Sequence, residues 1–199
     1  MTTPLISAVL SLVLAAPLAA PPPLPDHERQ RLENGEIIIH GRVPADDIGL
    51  AVTGYALVDA PPASVWPHIR DCGRYDEFMP RVVKSELRGG TADEGLCFVE
   101  ISVPFPLSNL WAVNDTKCRS LATGGYERSW KLKEGTYRKN RGRWRVTPWG
   151  DGQRTLIYYE LEAAPDTMVP DRLLRSAQKD TLPDVFKAVR ARTQAAMSP

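Results

Sequence analysis

The sequence predicts an α+β domain in which a curved antiparallel sheet of about seven strands wraps around a long C-terminal helix. Three observations predict it: a strand followed by two short helices, then six strand candidates with short turns, then one long amphipathic helix. Strands joined in series by short turns pair antiparallel, and a large sheet that curls must cover one face. The terminal helix is the only predicted element long enough to do so, and a space is expected between it and the sheet.

The first predicted elements lie ahead of residue 80. Residues 50–59 alternate and are rich in β-forming side chains, which is typical of a strand. Two prolines end this strand, and residues 63–72 follow with apolar side chains at helical spacing. Gly73 ends that helix, and a second short helix over residues 74–79 is closed by Pro80.

Six strand candidates follow, separated by turns that contain glycine. They cover residues 82–88, 96–103, 111–121, 126–134, 142–148 and 155–163. Residues 171–195 then form a helix with one apolar face. The residues of that face are Leu173, Leu174, Ala177, Leu182, Val185, Phe186 and Val189.

Residues 1–20 are predicted to be a signal peptide or, alternatively, an uncleaved N-terminal anchor. No charged residue precedes Asp26, and residues 5–16 form an apolar stretch with the length of a signal-peptide core, too short for a comfortable membrane span. Residues 21–48 are expected to be a proline-rich linker and polar lead-in, in which residues 37–39 could add a short edge strand. The domain itself is predicted over residues 49–196, in an exported protein.

Composition excludes several functional classes. The chain carries 25 Lys and Arg against 24 Asp and Glu, so its formal net charge of +1 does not favour nucleic acid. With 3 cysteines, no CxxC pair and only 3 histidines, no metal is expected. Glycine-rich nucleotide motifs are absent, and no cofactor is expected. Cys97 and Cys118 both fall in predicted strands and could form a cross-strand disulfide; the alternative is that these two and Cys72 are buried thiols.

Six segments, taken in order, resemble one known superfamily. They are residues 58–66, the pattern D-x-x-x-Y-x-x-F-x-P at residues 71–80, the loop 103–109, Trp144 with Pro148, the pair Tyr158-Tyr159, and the prolines at 170 and 183. Together they resemble the START-like (SRPBCC) superfamily, which includes polyketide cyclases, Bet v 1-like proteins and coenzyme Q-binding proteins. The resemblance covers roughly residues 49–195 and implies the helix-grip fold.

The resemblance also implies an internal cavity for a hydrophobic ligand such as a lipid, sterol, quinone or polyketide. The candidate ligand-binding residues are Phe98, Phe105, Trp111, Trp130, Trp144, Tyr158, Leu173, Leu174 and Ala177. The alternative for each aromatic residue is a place in the core. A polyketide cyclase or aromatase that uses the same cavity is the alternative function. Three strand carboxylates could serve it only if they faced the cavity, so no catalytic residue is assigned; they are Glu100, Asp115 and Glu160.

The charges are unevenly placed along the chain. Residues 126–145 hold eight Lys and Arg and two Glu, so the segment 128–145 could bind an anionic membrane surface. The alternative is a solvated face with local ion pairs. The apolar loop 104–111 and the connector 165–170 are expected to form the cavity mouth, where Phe105 and Trp111 would enter a membrane interface. No nucleic-acid partner is expected, and the protein is expected to be a monomer.

Overall fold

A computed structural model describes residues 22–105, 107–166 and 171–198, and their side chains except those of residues 171–180. The chain begins with helix α1 (Asp26–Glu33), strands β1 (Ile38–Arg42) and β2 (Leu50–Val58), helix α2 (Pro62–Arg70) and a short 3-10 helix (Cys72–Glu77). Six strands follow: β3 (Val82–Gly90), β4 (Glu94–Ile101), β5 (Leu110–Leu121), β6 (Gly125–Gly135), β7 (Tyr137–Trp149) and β8 (Arg154–Pro165). Helix α3 (Asp171–Met197) closes the fold.

The strands form one eight-stranded antiparallel sheet in the order β1-β2-β8-β7-β6-β5-β4-β3. The predicted α+β helix-grip arrangement is confirmed. The sheet has one strand more than the seven expected, because the apolar run at residues 37–39 continues into β1, which pairs with β2.

The inner face of the sheet, defined as the face toward α3, carries the main core. Leu182, Phe186 and Val189 of α3 are buried there against inner residues of β2, β7 and β8. Gly54 of β2 permits this contact, because a Cβ at that position would lie 2.6 Å from the Phe186 ring. The close packing of α3 on the sheet at Phe186 therefore requires a glycine at position 54.

The opposite, outer face is covered in part by α1, which lies within the segment expected to be a linker and polar lead-in. Leu32 of α1 is fully buried in a second cluster with side chains of β1, β2, β7 and β8. Polar contacts hold the same helix: His40 Nε2 lies 2.7 Å from Glu28 Oε1, and Trp149 Nε1 donates to Glu33 at 2.5 Å. A helix anchored by one leucine has too few apolar residues for periodicity to reveal it.

A disulfide joins the 3-10 helix to β4 through Cys72 and Cys97, and Cys118 is free. Neither the possible pairing of Cys97 with Cys118 nor the alternative of three buried thiols is therefore correct. The register explains why the first is wrong: Cys97 lies opposite Asn114 of β5, so Cys118 is four residues farther along that strand, opposite Arg128 of β6. Predicted strand boundaries alone did not reveal this register.

Candidate binding cavity

A cavity of about 570 Å³ lies between the inner face of the sheet and α3. This volume falls within the range of roughly 300–1,000 Å³ that small-molecule sites occupy. Most of the described lining is apolar. It includes Leu50, Met79, Val82, Val99, Ile101, Leu110, Ala112, Trp130, Trp144, Leu161, Ala163, Leu182 and Val185.

Strand alternation decides which side chains reach the cavity. On β5, Leu110, Ala112, Asn114 and Thr116 line it, whereas Trp111 between them points to the outer face. Successive side chains of a strand point to opposite faces, so every second residue shares the cavity. The same rule brings Arg128 and Trp130 of β6 to the cavity together.

An aromatic group forms one wall of the cavity. The rings of Trp144 and Tyr159 lie 4.3 Å apart, and those of Trp130 and Tyr159 lie 5.7 Å apart. Trp130 Nε1 also donates to Asn140 Oδ1 at 2.9 Å. Gly142 makes room for this wall, because a Cβ there would lie 2.4 Å from the Trp130 ring. The packing fixes both tryptophans with apolar surface toward the cavity.

Two tyrosines add hydroxyl groups to this lining. Burial raises the pKa of Tyr137 to about 12 and raises the pKa of Tyr159 further. Both phenols are therefore protonated at neutral pH and can donate a hydrogen bond. Within the described part of the chain neither hydroxyl has a hydrogen-bond partner, whereas Tyr75 donates to the Ile69 carbonyl at 2.6 Å.

Arg128 and Asn114 bring unpaired polar groups to the same cavity. Arg128 is 4% exposed, and its Nε is buried without a hydrogen-bond acceptor among the described residues. Asn114 is 7% exposed, and its Oδ1 is buried and equally unpaired. Thr116, beside them, donates to the Gly95 carbonyl at 2.9 Å. The cavity thus combines an apolar wall with a cation and an amide.

The cavity opens beside the loop between β4 and β5. Pro104 and Leu107 of this loop line it, as do Arg81, Pro165 and four residues of α3, namely Thr181, Leu182, Asp184 and Val185. The Ser102 amide donates to the Arg81 carbonyl at 2.8 Å and ties the loop to the start of β3. Phe105, at the tip of the loop, is 96% exposed. Residues 167–170 of the expected mouth lie outside the described residues.

The structure divides the predicted ligand-binding residues into four groups. Trp130 and Trp144 line the cavity. Phe98, Trp111 and Tyr158 lie on the outer face, where Phe98 contacts Trp111 and Tyr158 contacts Tyr55. Phe105 points into solvent at the mouth. The side chains of Leu173, Leu174 and Ala177 lie outside the described residues.

The residues on the outer face were assigned to the wrong side of their strands. Tyr159, not Tyr158, reaches the cavity, and Cys97 and Val99 do so instead of Phe98. The polar cavity residues that sequence reasoning missed include Asn114, Arg128, Tyr137, Asn140 and Tyr159. A usable signal existed for one of them: once Trp130 is placed inward, Arg128 two residues earlier on the same strand must also point inward.

Four of the eight cations in the basic segment 128–145 form ion pairs on the outer face, as the alternative of local ion pairs expects. Arg141 pairs with Glu162 at 2.7 Å, Arg143 with Glu160 at 2.8 Å and Lys139 with Asp46 at 2.5 Å. Arg145 pairs with Glu127. Glu100, Asp115 and Glu160 do not line the cavity, and Glu100 instead accepts from Asn109 at 2.8 Å.

Within the described ranges, no helix has the length and hydropathy needed to cross a bilayer. In the same residues no three His, Cys, Asp or Glu side chains come together in a way that could hold a metal ion.

A model of the family described as polyketide cyclase / dehydrase and lipid transport matches residues 58–190. No curated protein has a sequence that matches this chain. Among solved structures, a STAR-related lipid transfer protein fragment from Xanthomonas axonopodis is 22% identical with a TM-score of 0.70, over 79% of this chain and 93% of that one.

Two further solved structures are similar. Human StAR-related lipid transfer protein 5 is 12% identical with a TM-score of 0.70, over 83% of this chain and 85% of its own. The Zhui aromatase/cyclase from a Streptomyces species is 15% identical with a TM-score of 0.55, over 80% and 97%. At these identities the likeness establishes the fold.

Proposed function

Since the chain belongs to the polyketide cyclase / dehydrase and lipid transport family, we propose that it binds a hydrophobic ligand, such as a lipid, sterol, quinone or polyketide, between its sheet and α3. The observation that carries this proposal is the mainly apolar cavity of about 570 Å³. Protein interiors are normally close-packed, so a space of this size walled by Trp130 and Trp144 favours an apolar occupant. That two similar structures are described as lipid transfer proteins supports the same ligand class.

Transfer of the ligand to or from a membrane is the second part of the proposal. Phe105 is exposed at the mouth and Leu107 beside it is 39% exposed, and apolar side chains at such a tip can enter a bilayer interface. Lys133 and Arg138 flank the β6–β7 turn, which hydrogen-bonds to the start of β5 through Thr136 and Trp111. Neither cation has a carboxylate partner among the described residues, so both remain available for anionic head groups.

We also propose that the protein works in the cell envelope. The leader-like composition of residues 1–20 supports export. The disulfide between Cys72 and Cys97 supports it independently, because such bonds persist in oxidising compartments. N-terminal sequencing of exported material tests this location: a first residue between positions 16 and 26 is expected, and an intact Met1 in a reducing cytoplasmic pool would refute it.

A cyclase or aromatase is the second candidate function. The unpaired hydroxyls of Tyr137 and Tyr159 favour it, since each could donate to a substrate carbonyl. A general base for such a reaction is harder to find in the cavity lining. The raised pKa values keep both phenols protonated at neutral pH, and Asp184, the only carboxylate among the described lining residues, pairs with Lys187 at 2.9 Å. Binding without reaction is therefore the better-supported function.

Extraction and mass spectrometry of the purified protein test the proposed binding most simply. Organic extraction should release a hydrophobic compound in near-stoichiometric amount. The variant Ala112→Phe fills the cavity from β5, where Ala112 is buried and lines it, and should carry far less. Lys131→Phe adds the same ring to an exposed position of β6 and serves as the matched control.

Two results would contradict the proposal. One is a wild-type protein that yields no compound and binds no phospholipid, sterol, quinone or fatty acid. The other is a folded Ala112→Phe variant that carries as much ligand as the wild type. A chemically altered product, recovered after incubation with a poly-β-ketone, would instead support the cyclase.

A further inference from the structure

Arg128 is a buried cation that faces the cavity. It lies on β6 two residues before Trp130, so both side chains point inward, and only 4% of its surface is exposed. A guanidinium group remains charged at every physiological pH. The cavity therefore holds a permanent positive charge whether or not a ligand is bound.

No carboxylate of the described chain neutralises this charge. Arg128 forms no ion pair within the described ranges, its Nε has no acceptor there, and its one aromatic contact is the Tyr75 ring, 5.6 Å from the guanidinium carbon. Asp184 is the only acidic residue in the described lining, and it belongs to the mouth and pairs with Lys187. Burying a charge without a counter-ion costs free energy. An anion bound in the cavity would supply the counter-ion that Arg128 lacks among the described residues.

Asn114 supplies a second unpaired polar group to the same cavity. Its side chain lies on the inner face of β5, which pairs with β6, and its Oδ1 is buried without a donor. The two ends of an amide can exchange places, so the Asn114 Nδ2 group can donate toward the cavity as well. The guanidinium of Arg128 suits an oxyanion, which accepts two parallel hydrogen bonds from an arginine fork. Asn114 lies four residues nearer to Leu110 along β5 than the residue that pairs with Arg128, so it offers a separate polar contact.

The position of Arg128 along the strands indicates how such a ligand would lie. Its ladder partner on β5 is Cys118, eight residues beyond Leu110, which follows the mouth loop. At a rise of about 3.3 Å per residue, Cys118 is about 26 Å along the strand from Leu110. The cavity wall between them is apolar apart from Asn114 and Thr116. A ligand would place its anionic group at the deep end and its apolar body toward the mouth.

We infer that the ligand is an anionic amphiphile, a long apolar chain that ends in a carboxylate or a phosphate, with the oxyanion held by Arg128. This inference rests on the proposed binding function and narrows its ligand class. Neutral sterols and quinones would leave the Arg128 charge unpaired, so they fit the site less well.

Three ligands with one chain length test the inference: hexadecanoate, hexadecyl phosphate and hexadecan-1-ol, titrated calorimetrically into delipidated full-length protein at pH 7.5. At least one of the two anions should bind ten- to a hundredfold more tightly than the alcohol, because hydrogen bonds to a charged group are the strong ones. The stronger of the two anions identifies the head group. Inorganic phosphate and acetate are titrated alone; if they bind as tightly as the chains, the site takes a free anion and the inference is overturned.

The variant Arg128→Met should abolish the preference for the anion while it leaves the affinity for hexadecan-1-ol within about threefold of wild type. Arg141→Met is the matched control, because Arg141 lies on the neighbouring strand of the same hairpin but on the outer face. It should keep the full preference. If Arg128→Met does not fold, Arg128→Lys replaces it; loss of the fork should still reduce the preference at least threefold.

The outcomes separate this inference from the function on which it rests. Equal binding of all three chains by the wild type would overturn the anionic ligand and leave hydrophobic binding intact. Binding of none of them, with no co-purified compound, would overturn both. An unchanged anion preference in a folded Arg128→Met protein would assign the oxyanion to another site and overturn the role of Arg128.

Discussion

Arg128 and Arg143 lie on neighbouring strands of one hairpin, equally buried but on opposite faces of the sheet. Arg143 on the outer face is 6% exposed and donates to Glu160 at 2.8 Å, with Glu127 3.9 Å away. Arg128 on the inner face is 4% exposed and has no carboxylate partner among the described residues. On the outer face, where only stability is at stake, the buried arginine has a carboxylate partner. On the inner face, where a ligand can supply the missing anion, the buried arginine has none in the described part of the chain.

The difference extends to the rest of each face. On the outer face Glu127 is 1% exposed and accepts from Arg119 at 2.8 Å and from Arg145. The inner face carries neutral tyrosines, tryptophans and aliphatic side chains around Arg128, the single buried cation among the described lining residues. The outer charges are therefore expected to contribute to the stability of the unliganded protein, and the inner charge to oppose it.

The largest expected effect comes from two residues that are adjacent in the chain. Glu127→Ala should lower the free energy of unfolding by about 3–5 kcal/mol, because it removes the buried carboxylate that Arg119 and Arg145 share. Arg128→Met should cause no loss, or a gain, since it removes a buried charge that has no partner. Urea unfolding of the delipidated proteins measures both. Equal losses in the two variants would show that the faces do not differ in this way.

The disulfide between Cys72 and Cys97 stabilises the inner side of the sheet through a covalent bond and not through an ion pair. It closes a sequence separation of 25 residues between the 3-10 helix and β4, and a loop of that length corresponds to about 3 kcal/mol of stability. The variant with both Cys72 and Cys97 changed to alanine should lose about that amount in urea unfolding. Cys118→Ala serves as the control and should lose less than about 1.5 kcal/mol. A larger loss in the control would make the free thiol the more important cysteine.

Alkaline pH should act on the inner face through its tyrosines. Burial raises the pKa of Tyr137 to about 12 and that of Tyr159 further, whereas an unfolded tyrosine titrates near 10. The folded state thus holds these protons more tightly, and its stability should be constant below about pH 9 and fall as the pH rises from about 10 to 12. The raised pKa of Tyr137 contributes at most about 2.7 kcal/mol to this loss.

Phenylalanine at both positions provides the test of that pH dependence. The variant Tyr137→Phe/Tyr159→Phe should lose less stability than the wild type between pH 9 and 12, as measured by urea unfolding at a series of pH values. The two curves should be parallel below about pH 9. If the alkaline loss is unchanged in the double variant, its source lies in other groups than the cavity tyrosines.

The smallest effect on stability is expected at the mouth. Phe105 is 96% exposed, so Phe105→Ala should change the free energy of unfolding by no more than about 0.5 kcal/mol. Its binding to anionic vesicles should nevertheless weaken several-fold in co-sedimentation. Met197→Ala removes an exposed apolar side chain near the C-terminal end of α3 and should bind vesicles as the wild type does. A stability loss with unaltered vesicle binding would assign Phe105 to the packing of its loop.

The sequence was sufficient to predict the fold because six strands and a long amphipathic helix each leave a periodic signal. It was insufficient for α1, which depends on Leu32 and on polar contacts to distant strands. The cavity lining shows a finer limit. Alternation predicts that Tyr158 and Tyr159 face opposite sides, but not which one faces inward.

Register adds a second limit. β5 and β6 change register at Val113, where the pairing moves from Glu134 to Leu132. An irregularity of this kind cannot be recognised in the sequence. It nevertheless helps to determine which residues of β5 and β6 lie opposite each other. The pairing of Cys97 could therefore not be predicted from strand boundaries, and neither could the relative positions of Asn114 and Arg128 along the cavity.

Tryptophan fluorescence provides the most direct test that the ligand lies on the inner face. A long-chain fatty acid brominated at mid-chain quenches an indole that it touches, and the five indoles are divided between the two regions. Trp130 and Trp144 line the cavity, whereas Trp111, Trp149 and Trp66 do not, and Trp66 is kept in every variant. With Trp111→Phe/Trp149→Phe we expect saturable quenching as strong as in the wild type. With Trp130→Phe/Trp144→Phe we expect most of the quenching to disappear. The reverse pattern would contradict a cavity ligand and place the bound chain on the outer surface.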